Sequence, residues 1–346
     1  MKARPIRLHL VGFGTVGRGL VRVLKEQGPA LRRAGLDFRI AALSDIWGTL
    51  HAPEGLDPAR LLRISRPSEA KGRAPAGARR MSGAEAARKL DSDILVEMTP
   101  TNVVTGQPAL GHLEAALGAG RCAVTSNKGP LAVRYRELMS LAAKNGAELR
   151  YEAAVGGAMP IINLAREALA GNPVLSIRGV LNGTTNYILT RMAEDSLPFA
   201  EALAEAQELG YAEADPSYDI EGKDAGAKLV ILANAIFGRN ARYSQVRVTG
   251  ITSITPEALR LAERAGFALR LVARADRDGP MEVAPRLVRR NSALAVEGTL
   301  NAASLITELA GEITVTGRGA GALEAASAIL SDLVSLGSRR SFPRKG

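Results

Sequence analysis

The segment Gly210–Lys228 gathers Tyr211, Glu213, Asp219, Asp224 and Lys228 just ahead of the apolar run Leu229–Ile236. Asp224 and Lys228 stand at i and i+4, so on a helix their side chains share a face. An acid and an amine held together beside an apolar interior suit proton transfer; the same spacing also describes a plain ion pair on a helix surface. A second lysine, Lys128, follows a strand-like run, Cys122–Thr125, in Thr125-Ser126-Asn127-Lys128-Gly129-Pro130. In open parallel sheets ligands bind beyond the carboxyl ends of the strands, which would set Lys128 beside them. Read by position alone, it is equally a surface loop lysine.

A dinucleotide site is expected at Gly12-Phe13-Gly14-Thr15-Val16-Gly17, which leaves the strand Ile6–Val11 and opens a helix. In that setting Gly12 permits the tight turn, Gly14 lets backbone approach a pyrophosphate, and Gly17 lets helix and strand pack closely. The free N–H groups of the helix start then meet the phosphates. Asp37 stands at the usual sequence distance for a ribose ligand but precedes the second strand, whereas Asp45 ends it. Asp45 is therefore the better ribose ligand and leans the reading toward NAD over NADP, with Arg39, Arg60 and Arg63 near enough in sequence to offset it.

Two further strand-to-helix turns carry polar groups. Tyr151–Pro160 holds Glu152 and a glycine pair. It could offer oxygen ligands to a monovalent cation or serve only as a hinge between domains. Asn182-Gly183-Thr184-Thr185 reads as a strand end running into a helix capped by Thr184 or Thr185, whose amides and hydroxyls suit a carboxylate or need only cap the helix. His9, His51 and His112 lie outside these motifs, with His9 expected in the core, so acid–base work falls to lysine. The single cysteine, Cys122, forms no internal disulfide and reads as core. The Cys/His spacing of a metal site is lacking.

These residues need a scaffold. The chain has 346 residues, enough for two domains. Its first half alternates strand and helix: strands at 6–11, 38–44, 94–98, 122–125 and 148–152, helices at 15–34, 108–117 and 134–145, and a loop with at most one short helix over 48–82. This predicts an α/β domain with a parallel sheet. Beyond residue 150, helices at 160–170, 185–193, 199–209 and 223–237 precede strands at 267–273, 281–288, 293–296, 299–305 and 312–316, an α+β pattern. A last helix, 320–336, is expected to pack back on the first domain. The boundaries expected are 1–150 with 318–346 for dinucleotide binding, and 151–317 for substrate binding and dimerisation.

The net charge of +10 invites a nucleic-acid reading, but the basic pairs Arg79-Arg80, Arg289-Arg290 and Arg339-Arg340 are scattered and aromatics are only 4%, so nucleic acid is not an expected partner. No run is long enough to cross a bilayer, and the start leaves no room for a signal peptide, so a cytoplasmic protein is expected.

Together these motifs resemble the homoserine dehydrogenase family. The resemblance runs from about residue 5 to 336 and is carried by Gly12–Gly17, Glu97–Asn102, Ser126–Pro130, Tyr151–Pro160, Asn182–Tyr187, Gly210–Lys228 and Gly317–Gly321. It implies a Rossmann-like domain with a substrate and dimerisation domain, in an enzyme of threonine and methionine biosynthesis that interconverts L-homoserine and L-aspartate 4-semialdehyde with NAD or NADP. It implies Lys128 and Lys228 as acid–base lysines with Asp224, and Gly183, Thr184, Tyr211, Glu213 and Asp219 as substrate ligands. Cofactor contacts would come from Gly12, Phe13, Gly14, Thr15, Val16, Gly17, Asp45, Thr99, Pro100, Lys128 and Gly319. The carboxylate of Glu152 and the carbonyls of Val155, Gly157 and Met159 would match a monovalent-cation site for Na+ or K+. A homodimer is implied, and the sequence is expected to lack the ACT and aspartate kinase segments of longer members. The rival readings are a related amino-acid oxidoreductase and a non-catalytic dinucleotide sensor.

Overall fold

The computed structural model describes residues 4–65 and 74–339. The chain divides into two units: one runs to Ala154 and resumes at Gly321, and the other is Val155–Ala320.

The first unit is built on six strands: β1 (Ile6–Val11), β2 (Phe38–Asp45), β3 (Gly48–His51), β4 (Ile94–Glu97), β5 (Cys122–Thr125) and β6 (Leu149–Arg150). Their order is β3-β2-β1-β4-β5-β6, parallel except for β3, which runs antiparallel to β2. Strands covered on both faces read as near-continuous apolar runs, and β4 and β5 are buried throughout. Strand order reverses between β1 and β4, which places the loops after these strands at the switch point where such sheets take ligands. The helix Thr15–Arg33 and the last helix, Ala322–Arg339, pack on each other and join one apolar core with the sheet through Leu20, Leu24, Ile329 and Leu333.

The second unit holds β7 (Val174–Val180), β8 (Val246–Val248), β9 (Phe267–Asp276), β10 (Met281–Arg289), β11 (Leu300–Thr307) and β12 (Gly311–Arg318) in the order β12-β11-β7-β9-β10-β8. Pairing is antiparallel apart from β8 with β10. The helix Lys223–Phe237 is buried almost all round from Asp224 to Asn234 and packs on β7, β9 and β10. An all-round apolar helix of this kind belongs in a core, which is how Asp224 and Lys228 come to lie inside.

Several expected elements are corrected. Part of the stretch read as loop, 48–82, is strand β3, which the turn Asp45–Gly48 folds back on β2 (Gly48, φ +115°); the one short helix allowed for there is Pro58–Leu61. Residues 66–73 of that stretch, and 340–346 of the tail with Arg340 of its basic pair, lie outside the described residues. The helix expected from Arg134 is preceded by a further helical run from Lys128, which meets it at a kink at Arg134 (φ −137°), because Asn127 caps that run and Pro130 is tolerated in a first turn. The strand expected over 148–152 stops at Arg150: Glu152 enters a short 3₁₀ turn, and its N–H donates to Asp332 at 2.9 Å rather than to a strand. The helix expected over 160–170 forms over 161–168, but only Ile161–Asn163 is α-helical, and Leu164–Ala168 is π-helical. Ala293–Val296 forms turns rather than a strand, with the Val296 carbonyl taken by Asn186 at 3.1 Å. The helix Pro256–Arg264 was legible as a Thr255 cap followed by proline but was not anticipated.

His9 is fully buried, with Nε2 2.7 Å from Ser44 Oγ, which meets Thr49 Oγ1 at 2.7 Å. Burial first, then the nearby His112, Arg121 and His51, push its pKa down to about 3 from 6.5. The folded ring thus stays neutral where an unfolded one takes a proton, so stability falls as pH drops below about 6.5 and the loss is complete near pH 3. Between pH 7 and pH 5 this histidine alone should remove about 2 kcal/mol. Urea titrations of the parent and of His9→Gln should show that the variant loses less over this interval by about that amount; identical losses would refute the assignment.

Candidate active site

At the carboxyl end of β1 the turn Gly12–Gly17 is shaped by close contact. Gly12 has φ +95°, and a Cβ on Gly17 would lie 2.3 Å from the Gly12 carbonyl oxygen, so strand and helix touch through backbone there. Gly14 has nothing within 4 Å of its Cβ position, and no side chain caps the helix it precedes. Open space in front of uncapped N–H groups at a helix start is what a pyrophosphate needs. Phe13 is buried, with the Arg18 guanidinium 5.0 Å above its ring. Thr15 and Val16 open the helix. Asp45 reaches the same turn: its carboxylate accepts N–H groups from Phe13 at 2.7 Å and from Ile46 at 2.6 Å. It therefore braces the glycine turn from the end of β2, a contact the spacing did not reveal.

The loops after β4 and β5 are tied by Glu97. This buried carboxylate accepts from the Thr99 N–H at 3.1 Å, from the Thr99 hydroxyl, and from Thr125 Oγ1 at 3.3 Å, and His112 Nδ1 lies 3.5 Å away. Asn127 completes the link: Nδ2 donates to the carbonyls of Thr99 at 2.9 Å and Pro100 at 3.1 Å, while Oδ1 accepts the Gly129 N–H at 2.9 Å. Lys128 is thereby fixed at the first turn of its helix, beside the Thr99–Pro100 loop.

In the second unit Asn182 is the hub. It ends the strand-to-helix turn, and its Oδ1 caps the helix Gly183–Glu194 through the Thr185 N–H at 2.8 Å. Its Nδ2 donates to two carboxylates, Asp219 at 2.6 Å and Asp224 at 3.0 Å. Lys228 Nζ lies 2.7 Å from the same Asp224 oxygen and donates to the Leu181 carbonyl at 2.7 Å. Asn182, Asp224 and Lys228 are all buried, which rules out the surface ion pair. The Asp219 carboxyl is pushed up, first by burial and next by the Asp224 charge, against the pull of Asn182 and Lys228. Tyr218 is likewise raised by burial and by Asp224. Two carboxylates face one ammonium, so the cluster favours a further cation once both acids are ionised. Thr184 Oγ1 donates to the Tyr211 carbonyl at 2.7 Å, and the Tyr211 ring packs on Tyr187 at 4.8 Å.

The comparisons with known proteins agree in both units. Residues 12–152 match the homoserine dehydrogenase NAD-binding domain model, and residues 160–334 match the homoserine dehydrogenase model. A homoserine dehydrogenase of Methanocaldococcus jannaschii is 48% identical over 94% of this chain and 97% of its own. The chain belongs to the homoserine dehydrogenase family. An NAD(+)-dependent homoserine dehydrogenase of Pseudomonas canavaninivorans is 38% identical over 95% of this chain and 96% of its own. A hyperthermophilic archaeal homoserine dehydrogenase solved in complex with NADPH superposes with a TM-score of 0.82 at 31% identity, over 98% of this chain and 99% of that one. Membership makes the chain an oxidoreductase using NAD or NADP, and removes the sensor and the related oxidoreductase as preferred readings. No helix among the described residues is long and apolar enough to cross a membrane.

Of the residues expected at a homoserine dehydrogenase site, Gly183, Thr184, Tyr211, Asp219, Asp224 and Lys228 share one neighbourhood. Glu213 is exposed and takes no part in the hydrogen-bonded cluster; only its carbonyl is held, by Gln207 at 3.0 Å. Glu152 falls in the first unit, while Val155, Gly157, Met159 and Gly319 fall in the second. The reading of the sequence did not single out Asn182, Glu97 or Asn127. Asn182 carried a signal, an asparagine closing a strand and opening a threonine-rich helix start. Glu97 looked like an ordinary strand residue.

Because Gly14 faces open space, Gly14→Val should fold with an unchanged melting temperature yet weaken the cofactor at least tenfold, read by fluorescence titration of NADH and NADPH. An unaltered Kd in the folded variant would remove the turn from the cofactor site.

Proposed function

We propose that the enzyme interconverts L-homoserine and L-aspartate 4-semialdehyde, as its family name indicates, with the second unit holding the amino acid through the Asn182 cluster. The observation that carries this is the pairing of Asp219 and Asp224 on one Asn182 amide beside a single lysine. That imbalance supports binding of the substrate ammonium by Asp219, with Glu213 able to add a second carboxylate from the surface. Gly183, Thr184 and Tyr211, which share that neighbourhood, are assigned to the rest of the amino acid. When bound, the nicotinamide would supply a hydride acceptor. As the hydride leaves, the hydroxyl proton must go to a base. Lys228 is already committed to Asp224 and to the Leu181 carbonyl, which suits an orienting role. Lys128, at the carboxyl end of β5, is the better acid–base group. Its fixed position comes from the Asn127 cap and the Glu97-tied loops.

Asp45 favours NAD over NADP, since a carboxylate at the end of β2 suits ribose hydroxyls and repels a 2′-phosphate. Thr99, Pro100 and Gly319 are assigned to the cofactor on the strength of the family motifs. Glu152 with the carbonyls of Val155, Gly157 and Met159 is retained as a monovalent-cation site. A carboxylate and carbonyl oxygens are the hard donors that Na+ or K+ takes; the Met159 carbonyl already accepts the Ile161 N–H at 2.9 Å. We further propose a cytoplasmic homodimer acting in threonine and methionine biosynthesis.

The roles of the lysines are separable in kinetics. Followed by reduced-cofactor absorbance with NAD and NADP in turn, Lys128→Ala should lose roughly 10²–10⁴-fold in kcat with little change in KM and an altered basic limb of the pH profile. Lys228→Ala should raise KM for homoserine as well as lower kcat. A normal pH profile in Lys128→Ala, with that of Lys228→Ala abolished, would exchange the two roles.

A further inference from the structure

Asn301, near the start of β11, is 1% exposed, and neither its Nδ2 nor its Oδ1 has a hydrogen-bond partner among the described residues. Buried amides are nearly always paired, so an orphan of this kind calls for a reason. Its surroundings supply one. A Cβ placed on Gly319 would lie 1.8 Å from Asn301 Nδ2, so the carboxamide is pressed against the Gly319 backbone. A Cβ on Gly183 would lie 3.5 Å from Asn301 Oδ1 and 2.8 Å from the Thr299 carbonyl oxygen. Asn301 pairs in register with Gly317, and a Cβ on Gly317 would meet Met159 Cγ at 3.1 Å. One planar amide thus backs both the helix start Gly183–Thr184 and the chain at Gly317–Gly319.

A buried amide without a hydrogen-bond partner carries the desolvation cost of its polar atoms. Leucine branches at Cγ as asparagine does and carries no such cost, although its two methyl groups are bulkier than the carboxamide. An unpaired buried amide costs stability, and such a cost is common where a position serves function rather than packing.

We infer that Asn301 is a positioning residue for the dehydrogenase reaction, its buried carboxamide setting the Gly183 and Gly319 backbones at the places where substrate and cofactor are held. The inference rests on the site reading above. Asn301 acts through these two glycines and is not assigned a contact with substrate. Its amide offers a donor group and an acceptor to the peptide groups of these two backbones.

The test uses the full chain with Asn301→Leu and Asn301→Ser, measuring melting temperature, cofactor Kd, and kcat and KM for L-homoserine. Asn301→Leu should fold and bind cofactor within threefold of the parent, yet lose at least tenfold in kcat/KM. Asn301→Ser, which keeps a donor and an acceptor, should recover part of that loss. Parent-like kcat/KM in folded Asn301→Leu would overturn the inference. So would a loss of activity matched by an equal loss of folded, cofactor-binding protein, because that is a structural role only. Should Asn301→Leu not fold, Asn301→Ser decides: folded with reduced kcat/KM it upholds the inference, and folded with parent kcat/KM it overturns it. Asp219→Asn, assayed alongside, keeps the two readings apart. If it leaves KM for homoserine unchanged, the site reading fails; if it raises KM while folded Asn301→Leu behaves as the parent, only the role of Asn301 fails.

Discussion

The second unit depends on one amide. Asn182 Nδ2 holds two carboxylates, and its Oδ1 starts the helix that follows. Without it Asp219 and Asp224 would repel each other across a poorly hydrated space, and the charged form of one would be lost. Lys228 neutralises part of this charge and is itself fixed by the Leu181 carbonyl, immediately before Asn182. Strand β7, the helix Gly183–Glu194 and the buried helix Lys223–Phe237 are therefore joined by polar contacts at the point where an amino-acid substrate would need them. Partly satisfied networks in low dielectric are costly, and complete ones specify a unique arrangement.

The first unit solves a comparable problem differently. Its ligand end is shaped by backbone closeness at Gly12 and Gly17 and by two buried or half-buried carboxylates that accept N–H groups. Asp45 secures the turn after β1, and Glu97 secures the loops after β4 and β5. Lys128 gains its fixed place from this scaffold, since Asn127 both caps its helix and pins the Thr99–Pro100 loop.

Much of this was legible in the sequence where one rule acts locally. The parallel strands announced themselves as apolar runs, and the strand–glycine–helix turn at Gly12–Gly17 was recognisable from order alone. The i, i+4 spacing of Asp224 and Lys228 foretold their contact. What could not be read were decisions made by distant partners. The strand expected at Glu152 gives way because Asp332, far along the chain, takes its N–H. Glu97 becomes a hub only when β4 and β5 lie side by side. Asn301 is unremarkable in sequence and becomes distinctive only when Gly183 and Gly319 close on it.

The central claim is that the excess of carboxylate around Asn182 recognises the substrate ammonium. It is tested most directly by comparing L-homoserine with 4-hydroxybutanoate, which keeps the alcohol and carboxylate and lacks only the amine. Steady-state oxidation of both, followed by reduced-cofactor absorbance, should give a kcat/KM for 4-hydroxybutanoate lower by roughly 10³-fold or more, the scale of discrimination when a site's buried polar groups are left without their partner. Equal kcat/KM values for the two alcohols would contradict the account.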